Sequence, residues 1–218
     1  MGSDGHRRYR GLLIDYGGVL TSDLFASFRA FCELEGLAPE TLGERFRSDR
    51  AFRQLLIGLE TGKVEEAEFE PQLAERLGVS APGLIDRMFA GSKPDQTMVD
   101  AVRTARRAGI RTGLISNSWG TRRYDRHQLN ELFDGVVISG EVGIRKPAPE
   151  MYELGAQRIG LEPTACVFVD DLPFNLDPAA QLGMATVHHV SAERTIAQLE
   201  RLLETTLREA AHRSARRG

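Results

Sequence analysis

The sequence predicts an α/β fold, a doubly wound parallel sheet carrying a small inserted α-helical unit, and three observations predict it. Short apolar runs of strand length recur at Gly11–Ile14, Ile110–Ile115, Val136–Ile138, Ala165–Val169 and about 184–188, with helical stretches between the later ones. Runs that are apolar throughout fit strands covered on both faces, as in a parallel sheet flanked by helices. Residues 21–93, by contrast, show helical spacing and no convincing strand. Finally, polar residues follow the strands directly: Asp15, Ser116-Asn117 and Asp170-Asp171. In an open parallel sheet these positions share one edge, where strand ends and helix starts form a crevice.

The elements follow in order. The first strand ends on Asp15 and turns at once through Gly17-Gly18, residues that permit unusual dihedrals and close approach of a ligand to the main chain. Leu24, Phe25, Phe28 and Phe31 lie at helical spacing behind Ser22 or Asp23 as N-cap, and one of these phenylalanines is a candidate to line the crevice. Helical periodicity continues near 40–60, 64–77 and 81–90, punctuated by Pro39, Gly62, Pro71, Gly78 and Pro82-Gly83. From Pro94 helix and strand alternate: a helix closed by Gly109, the strand to Ile115, a polar helical segment 122–133, the strand 136–138, and a helix over 147–160. A strand ending at Asp170-Asp171, a helix near 173–182, a last strand, and a long helix capped by Ser191 complete the pattern. The domain reading is a core of residues 1–20 and 94–218 with a helical cap of 21–93, and the basic stretch 213–218 reads as a frayed helix end.

Bulk properties narrow the partners. With 41% hydrophobic and 27% charged residues and a net charge of −3, the chain has no general pull toward nucleic acid or membrane. No apolar stretch has the length of a membrane span, and residues 1–10 lack the apolar core of a signal peptide, so the expected location is cytoplasmic. Cys32 and Cys166 are far apart, and both are expected as reduced packing residues.

Asp15, Ser116-Asn117, Lys146 and Asp170-Asp171 are thus expected at one edge of the sheet. A buried acidic pair is costly without a partner, and carboxylates are hard ligands of the kind Mg2+ prefers. Lys146 adds a fixed positive charge suited to phosphate oxygens. The ordered set Asp15-Tyr16-Gly17-Gly18-Val19-Leu20, Leu114-Ile115-Ser116-Asn117, Lys146-Pro147 and Val169-Asp170-Asp171 resembles the haloacid dehalogenase-like superfamily over residues 11 to about 190. Within it the chain is most similar to the amino-terminal phosphatase domain of soluble epoxide hydrolases and related bacterial hydrolases.

The resemblance implies a Mg2+-dependent phosphatase acting on a small phosphorylated metabolite. Asp15 is then the nucleophile forming an aspartyl phosphate, Ser116 and the Asn117 backbone hold phosphate oxygens, and Lys146 neutralises developing charge. Asp15, Asp171 and the Gly17 carbonyl would hold the metal, Asp170 being a further ligand or an outer partner, and Asn175 would orient the acidic loop. Phosphatases of the superfamily carry a second aspartate two residues after the nucleophile, as general acid and base; here that position is Gly17. Hydrolysis is therefore expected to favour leaving groups that depart without a proton, such as aryl, acyl or anomeric sugar phosphates.

Two other readings share the motifs, a binding or regulatory module of the same fold and a dehalogenase-like hydrolase acting on carbon. The acidic pair argues against the second, which needs no metal. His127 and Asp125 are candidate substitutes for the missing acid, though both are expected at the surface. Lys63 is expected on a solvated turn, Lys93 at the hinge of the insertion, and Trp119 and Tyr16 in packing beside the site. Arg145 either assists phosphate binding or is solvated, and His188-His189 lacks a third ligand for zinc.

Overall fold

The computed structural model describes residues 7–208. Five strands form one parallel sheet: β1 (Gly11–Ile14), β2 (Arg111–Ser116), β3 (Gly135–Ile138), β4 (Cys166–Asp170) and β5 (Ala185–His188), in the order β3-β2-β1-β4-β5. In chain order the helices are α1 (Leu24–Leu34), α2 (Thr41–Ser48), α3 (Arg50–Glu60), α4 (Glu66–Leu77), α5 (Leu84–Phe89), α6 (Gln96–Arg107), α7 (Arg126–Leu132), α8 (Ser139–Val142), α9 (Pro149–Arg158), α10 (Pro173–Gln181) and α11 (Ala192–Leu203). The basic stretch 213–218 lies outside the described residues.

β1 is central, with Leu12 opposite Thr112 on β2 and opposite Val167 on β4. Its side chains alternate between two apolar layers. Leu12 and Ile14 join Leu114, Val167 and Val169 under α6, α7 and α11. Leu13 joins Ile115, Val137 and Phe168 under α9 and α10. Each of these β1 side chains is at most 1% exposed, which contributes roughly 1.5–3 kcal/mol apiece. The chain runs outward from β1 to β3 and then returns to lay β4 on the other side of β1. That reversal opens a crevice at the carboxyl ends of β1 and β4, because the connections leave them in opposite directions.

Helices α1–α5 bury an apolar cluster of their own around Phe28, Phe31, Phe52, Phe69 and Met88. Trp119, from the loop after β2, reaches into it, its ring centroid lying between 5.3 and 6.1 Å from those of Phe28, Phe46, Phe69 and Phe89. The two chain segments joining the insertion to the sheet are bonded to one another. Thr21 and Pro94 form an antiparallel bridge, Ser22 N donates to the Lys93 carbonyl at 2.7 Å, and Asp95 N donates to the Leu20 carbonyl at 2.9 Å.

Local chemistry explains where element boundaries depart from expectation. The periodic stretch 40–60 is two helices, because the Asp49 carboxylate accepts from Ala51 N at 2.9 Å and Phe52 N at 3.1 Å and so starts a new helix. Pro71 does not end α4. Its missing N–H forfeits one backbone bond on the exposed face, while Phe69, Leu73, Ala74 and Leu77 bury the opposite one. The polar segment 122–133 becomes helical only from Arg126, since Asp125 caps α7. Asp23 is the N-cap of α1, and Phe25, although 42% exposed, meets Phe28 edge to face with ring centroids 6.3 Å apart.

Candidate active site

The crevice gathers the strand-end groups. The Asp15 carboxylate lies 2.7 Å from Lys146 Nζ, which also donates to Asp170 Oδ2 at 2.6 Å. Lys146 is 1% exposed, so this ammonium is enclosed. Carboxylate oxygens of Asp15, Asp170 and Asp171 all lie within 4.8 Å of one another. Three carboxylates thus face one cation. Burial, together with the charges on Asp170 and Asp171, pushes the Asp15 pKa up to about 7, and burial with Asp170 pushes Asp171 to about 6. Burial opposes the Lys146 charge, yet the Asp15 and Asp170 carboxylates prevail and hold its pKa above the usual lysine value. The surplus of negative charge on hard oxygens fits a divalent cation.

The carboxylates differ in what remains free. Both oxygens of Asp170 are engaged: Oδ2 by Lys146, Oδ1 by Leu172 N and by Asn175 Nδ2, each at 2.9 Å. Asp170 therefore anchors the lysine, and Asn175 orients Asp170. Asp171 stands against the turn at Gly18, whose φ of +75° and lack of a Cβ are both required: a Cβ there would meet Asp171 Oδ2 at 2.5 Å. Asn117 holds the lysine loop through its side chain, Nδ2 donating to the Lys146 carbonyl at 3.1 Å and Oδ1 accepting from Lys146 N at 2.8 Å. Ser116 Oγ is 2.8 Å from the hydroxyl of buried Tyr124.

Beside this group lies a cleft between the sheet edge and the helical insertion, lined by Tyr16, Gly17, Leu24, Phe89, Trp119 and Tyr124 together with the polar Thr21, Ser92, Ser116, Asn117 and Arg123. Leu24 occupies the space a side chain at position 17 would need, since a Cβ on Gly17 would meet Leu24 Cδ1 at 2.5 Å.

A family model described as haloacid dehalogenase-like hydrolase matches residues 9–183. The chain belongs to the haloacid dehalogenase-like hydrolases. It is 27% identical over 162 residues to bifunctional epoxide hydrolase 2 of Sus scrofa, a match covering 65% of this chain and only 29% of that enzyme. It is 28% identical over 188 residues to the fructose-1-phosphate phosphatase YqaB of Escherichia coli K12, covering 84% of this chain and 97% of that one. A crystal structure of a HAD-family enzyme from Bacteroides thetaiotaomicron, complexed with magnesium and inorganic phosphate, shares the fold with a TM-score of 0.63 and 23% identity, covering 83% of this chain and 93% of that one.

In this hydrolase the remaining residues singled out by sequence have other partners. Asp125 is exposed and spends its carboxylate on His127 N at 2.9 Å and Gln128 N at 3.2 Å, and His127 is exposed. His188 contacts the Asp171 carbonyl at 3.0 Å while His189 contacts Thr195 Oγ1 at 2.9 Å, so the two imidazoles diverge. Lys63 and Lys93 are exposed. Among the described residues no helix is long and apolar enough to cross a membrane.

Sequence reading missed Leu24 as the occupant of the space beside Gly17, Tyr124 as the partner of Ser116, and Glu60, which pairs with Arg145. Glu60 is 4% exposed, and its Oε2 lies 2.5 Å from Arg145 Nε. Burial pushes its pKa from 4.5 up to about 7 despite the neighbouring Arg145 and Lys146 charges. Between those values the folded state holds a proton that the unfolded chain releases, so stability falls as pH rises through that window. Relative to Glu60→Gln, the wild type is expected to lose on the order of 3 kcal/mol between pH 4.5 and 7. Urea unfolding of both proteins at pH 5 and pH 8 reads this; a stability difference that does not change with pH contradicts it.

Proposed function

We propose that this hydrolase is a magnesium-dependent phosphatase of small phosphorylated metabolites, working through an aspartyl phosphate on Asp15, with residues 21–93 acting as a cap and the protein residing in the cytoplasm. The observation that carries the reading is the Lys146 ammonium lying between Asp15 and Asp170, with Asp171 in reach of the same point. No packing requirement calls for that arrangement, because buried charge costs stability.

In this mechanism an Asp15 carboxylate oxygen bonds to phosphorus as the ester P–O bond breaks, and the alkoxide or phenoxide departs and takes its proton from solvent; water then attacks the aspartyl phosphate, releasing phosphate and restoring the Asp15 carboxylate. Lys146 and the Ser116 hydroxyl meet the phosphate oxygens as charge grows on them. Asn117 fixes the lysine loop and Asp170 aims the ammonium. Asp15, Asp171 and the Gly17 carbonyl are the groups that would hold Mg2+, which screens the repulsion between the carboxylate nucleophile and the phosphate dianion.

The position beside the leaving group carries Gly17, with Leu24 filling the space, so no carboxylic acid stands there to protonate a departing alkoxide. Tyr16, Phe89, Trp119 and Tyr124 give the cleft an aromatic side, and three of its polar side chains are already engaged: Thr21 with Gly18 N at 3.0 Å, Ser116 with Tyr124, and Asn117 with the lysine loop. Aryl phosphates suit both features. The phosphatase named for fructose 1-phosphate supports phosphomonoester chemistry, and Ser92 and Arg123, whose buried Nε has no hydrogen-bond partner, are the polar side chains left on this wall for a leaving group.

A positioned acid contributes roughly 10²–10⁴ in rate, and an alkyl phosphate is expected to be slower than an aryl phosphate by about that factor. Because Leu24 blocks position 17, the restoring variant is the pair Gly17→Asp with Leu24→Ala, expected to raise alkyl phosphate turnover and leave aryl phosphate turnover little changed. Steady-state kinetics on phenyl and ethyl phosphate test this, and equal rates on the two esters in the wild type would sink it.

A further inference from the structure

Glu60 is hard to account for within its own element. It is the last residue of α3, where the helix dipole disfavours an anion, and its side chain is 6% exposed, where an apolar residue would pack at no electrostatic cost. Its contacts lie outside the insertion. The carboxylate pairs with Arg145 Nε at 2.5 Å, and the Glu60 carbonyl accepts from Ser139 Oγ at 2.5 Å. Ser139 is itself fully buried and accepts from Ser118 N at 2.9 Å, while Gly140 N donates to Ser118 Oγ at 3.1 Å. The turn after α3 seats on the same segment: a Cβ on Gly62 would stand 2.5 Å from the Gly140 carbonyl oxygen.

The segment gripped in this way is 139–146, α8 and the loop ending on Lys146. Glu60 holds its first residue through the main chain and Arg145, next to Lys146, through the side chain. Asn117 holds the main chain of Lys146 from the sheet side. We propose that Glu60 is a positioning residue: by holding both ends of segment 139–146, it sets where the Lys146 ammonium stands relative to Asp15, so that seating of the helical insertion and assembly of the charged centre are one event. The proposal rests on the reading of Lys146 and Asp15 as catalytic, and Glu60 itself touches no reacting atom.

The test uses the full chain with magnesium, in Glu60→Gln, Arg145→Met and the double variant. Turnover of phenyl phosphate is expected to fall about 10- to 100-fold in kcat in either single variant, with KM changed less than threefold. The double variant is expected to be no worse than the poorer single one, because both changes cut the same tether. A second readout is independent of turnover. The sequence holds three lysines, Lys63, Lys93 and Lys146. Only Lys146 is enclosed, so its 15N-labelled ammonium is expected as a single protected resonance in the wild type. That resonance should shift or vanish in Glu60→Gln and Arg145→Met alike. Unchanged kcat with an unmoved resonance overturns the proposal, as do losses that multiply in the double variant. If the wild type turns over no phosphate ester, the phosphatase reading fails, and the ammonium resonance alone decides whether Glu60 places Lys146.

Discussion

Asp15→Asn is expected to lower phenyl phosphate turnover by at least roughly 10³-fold while leaving the protein folded, and at pH 8 more stable than the wild type. The amide cannot form the acyl phosphate, so what remains is whatever hydrolysis the bound ester undergoes with water. Stability moves the other way for an electrostatic reason. Burial and the two neighbouring carboxylates push the Asp15 pKa up to about 7, so above that pH the folded state carries a charge its surroundings resist. Replacing it by a neutral isostere removes that cost, and Lys146 keeps Asp170 as partner at 2.6 Å. A residue that is costly to the fold and necessary to the reaction is the pattern expected of a nucleophile. Residual turnover above one hundredth of the wild-type rate, or a urea midpoint at pH 8 below the wild type's, contradicts this assignment.

Lys146→Met carries the second large effect, on stability and activity together. Without the ammonium, Asp15, Asp170 and Asp171 face each other with no internal cation, and Asp170 Oδ2 loses its partner. Removing one member of a buried pair typically costs about 3–5 kcal/mol, and loss of a positioned charge on a transferring phosphoryl group costs roughly 10²–10³ in rate. Magnesium separates the two consequences. Added to the variant, it should raise the urea midpoint more than it does in the wild type, because the stripped site is more negative, yet turnover should stay low. Equal magnesium responses in both proteins would falsify the view that the metal and the ammonium answer the same surplus of charge.

Much of the sheet and of its charged centre was legible in the sequence because both are local statements. An apolar run that stops on a polar residue announces a buried strand and the group at its end, and Asp15, Ser116 and Asp170 are such groups. Lys146 was legible at the same sheet edge although it lies in a loop and ends no strand, and Asn175 was legible only through the resemblance. What stayed hidden depends on pairs far apart in the chain. Ser139 and Glu60 are 79 positions apart, and a glutamate closing an apolar helix looks like any solvated end until its partner is seen. Asn117 was read for its backbone, whereas its side chain proves to clamp a loop 29 residues away. Leu24 reads as the first apolar position of a helix, and only the folded turn shows that it fills the space beside Gly17. The split at Asp49 was visible in principle, as a good capping residue inside a periodic stretch, but periodicity outweighed it.

The paired segments at Thr21 and Pro94 carry a consequence for engineering. Because the chain departs from the sheet and returns to it side by side, everything between could be excised and another unit spliced in without altering the spacing of the strands. Such a transplant would have to redesign Trp119, the aromatic peg the present unit wraps around, and supply a new acid where Glu60 stands. With those two replacements, under the phosphatase reading, grafting is expected to change substrate choice while Asp15, Lys146, Asp170 and Asp171 stay in place.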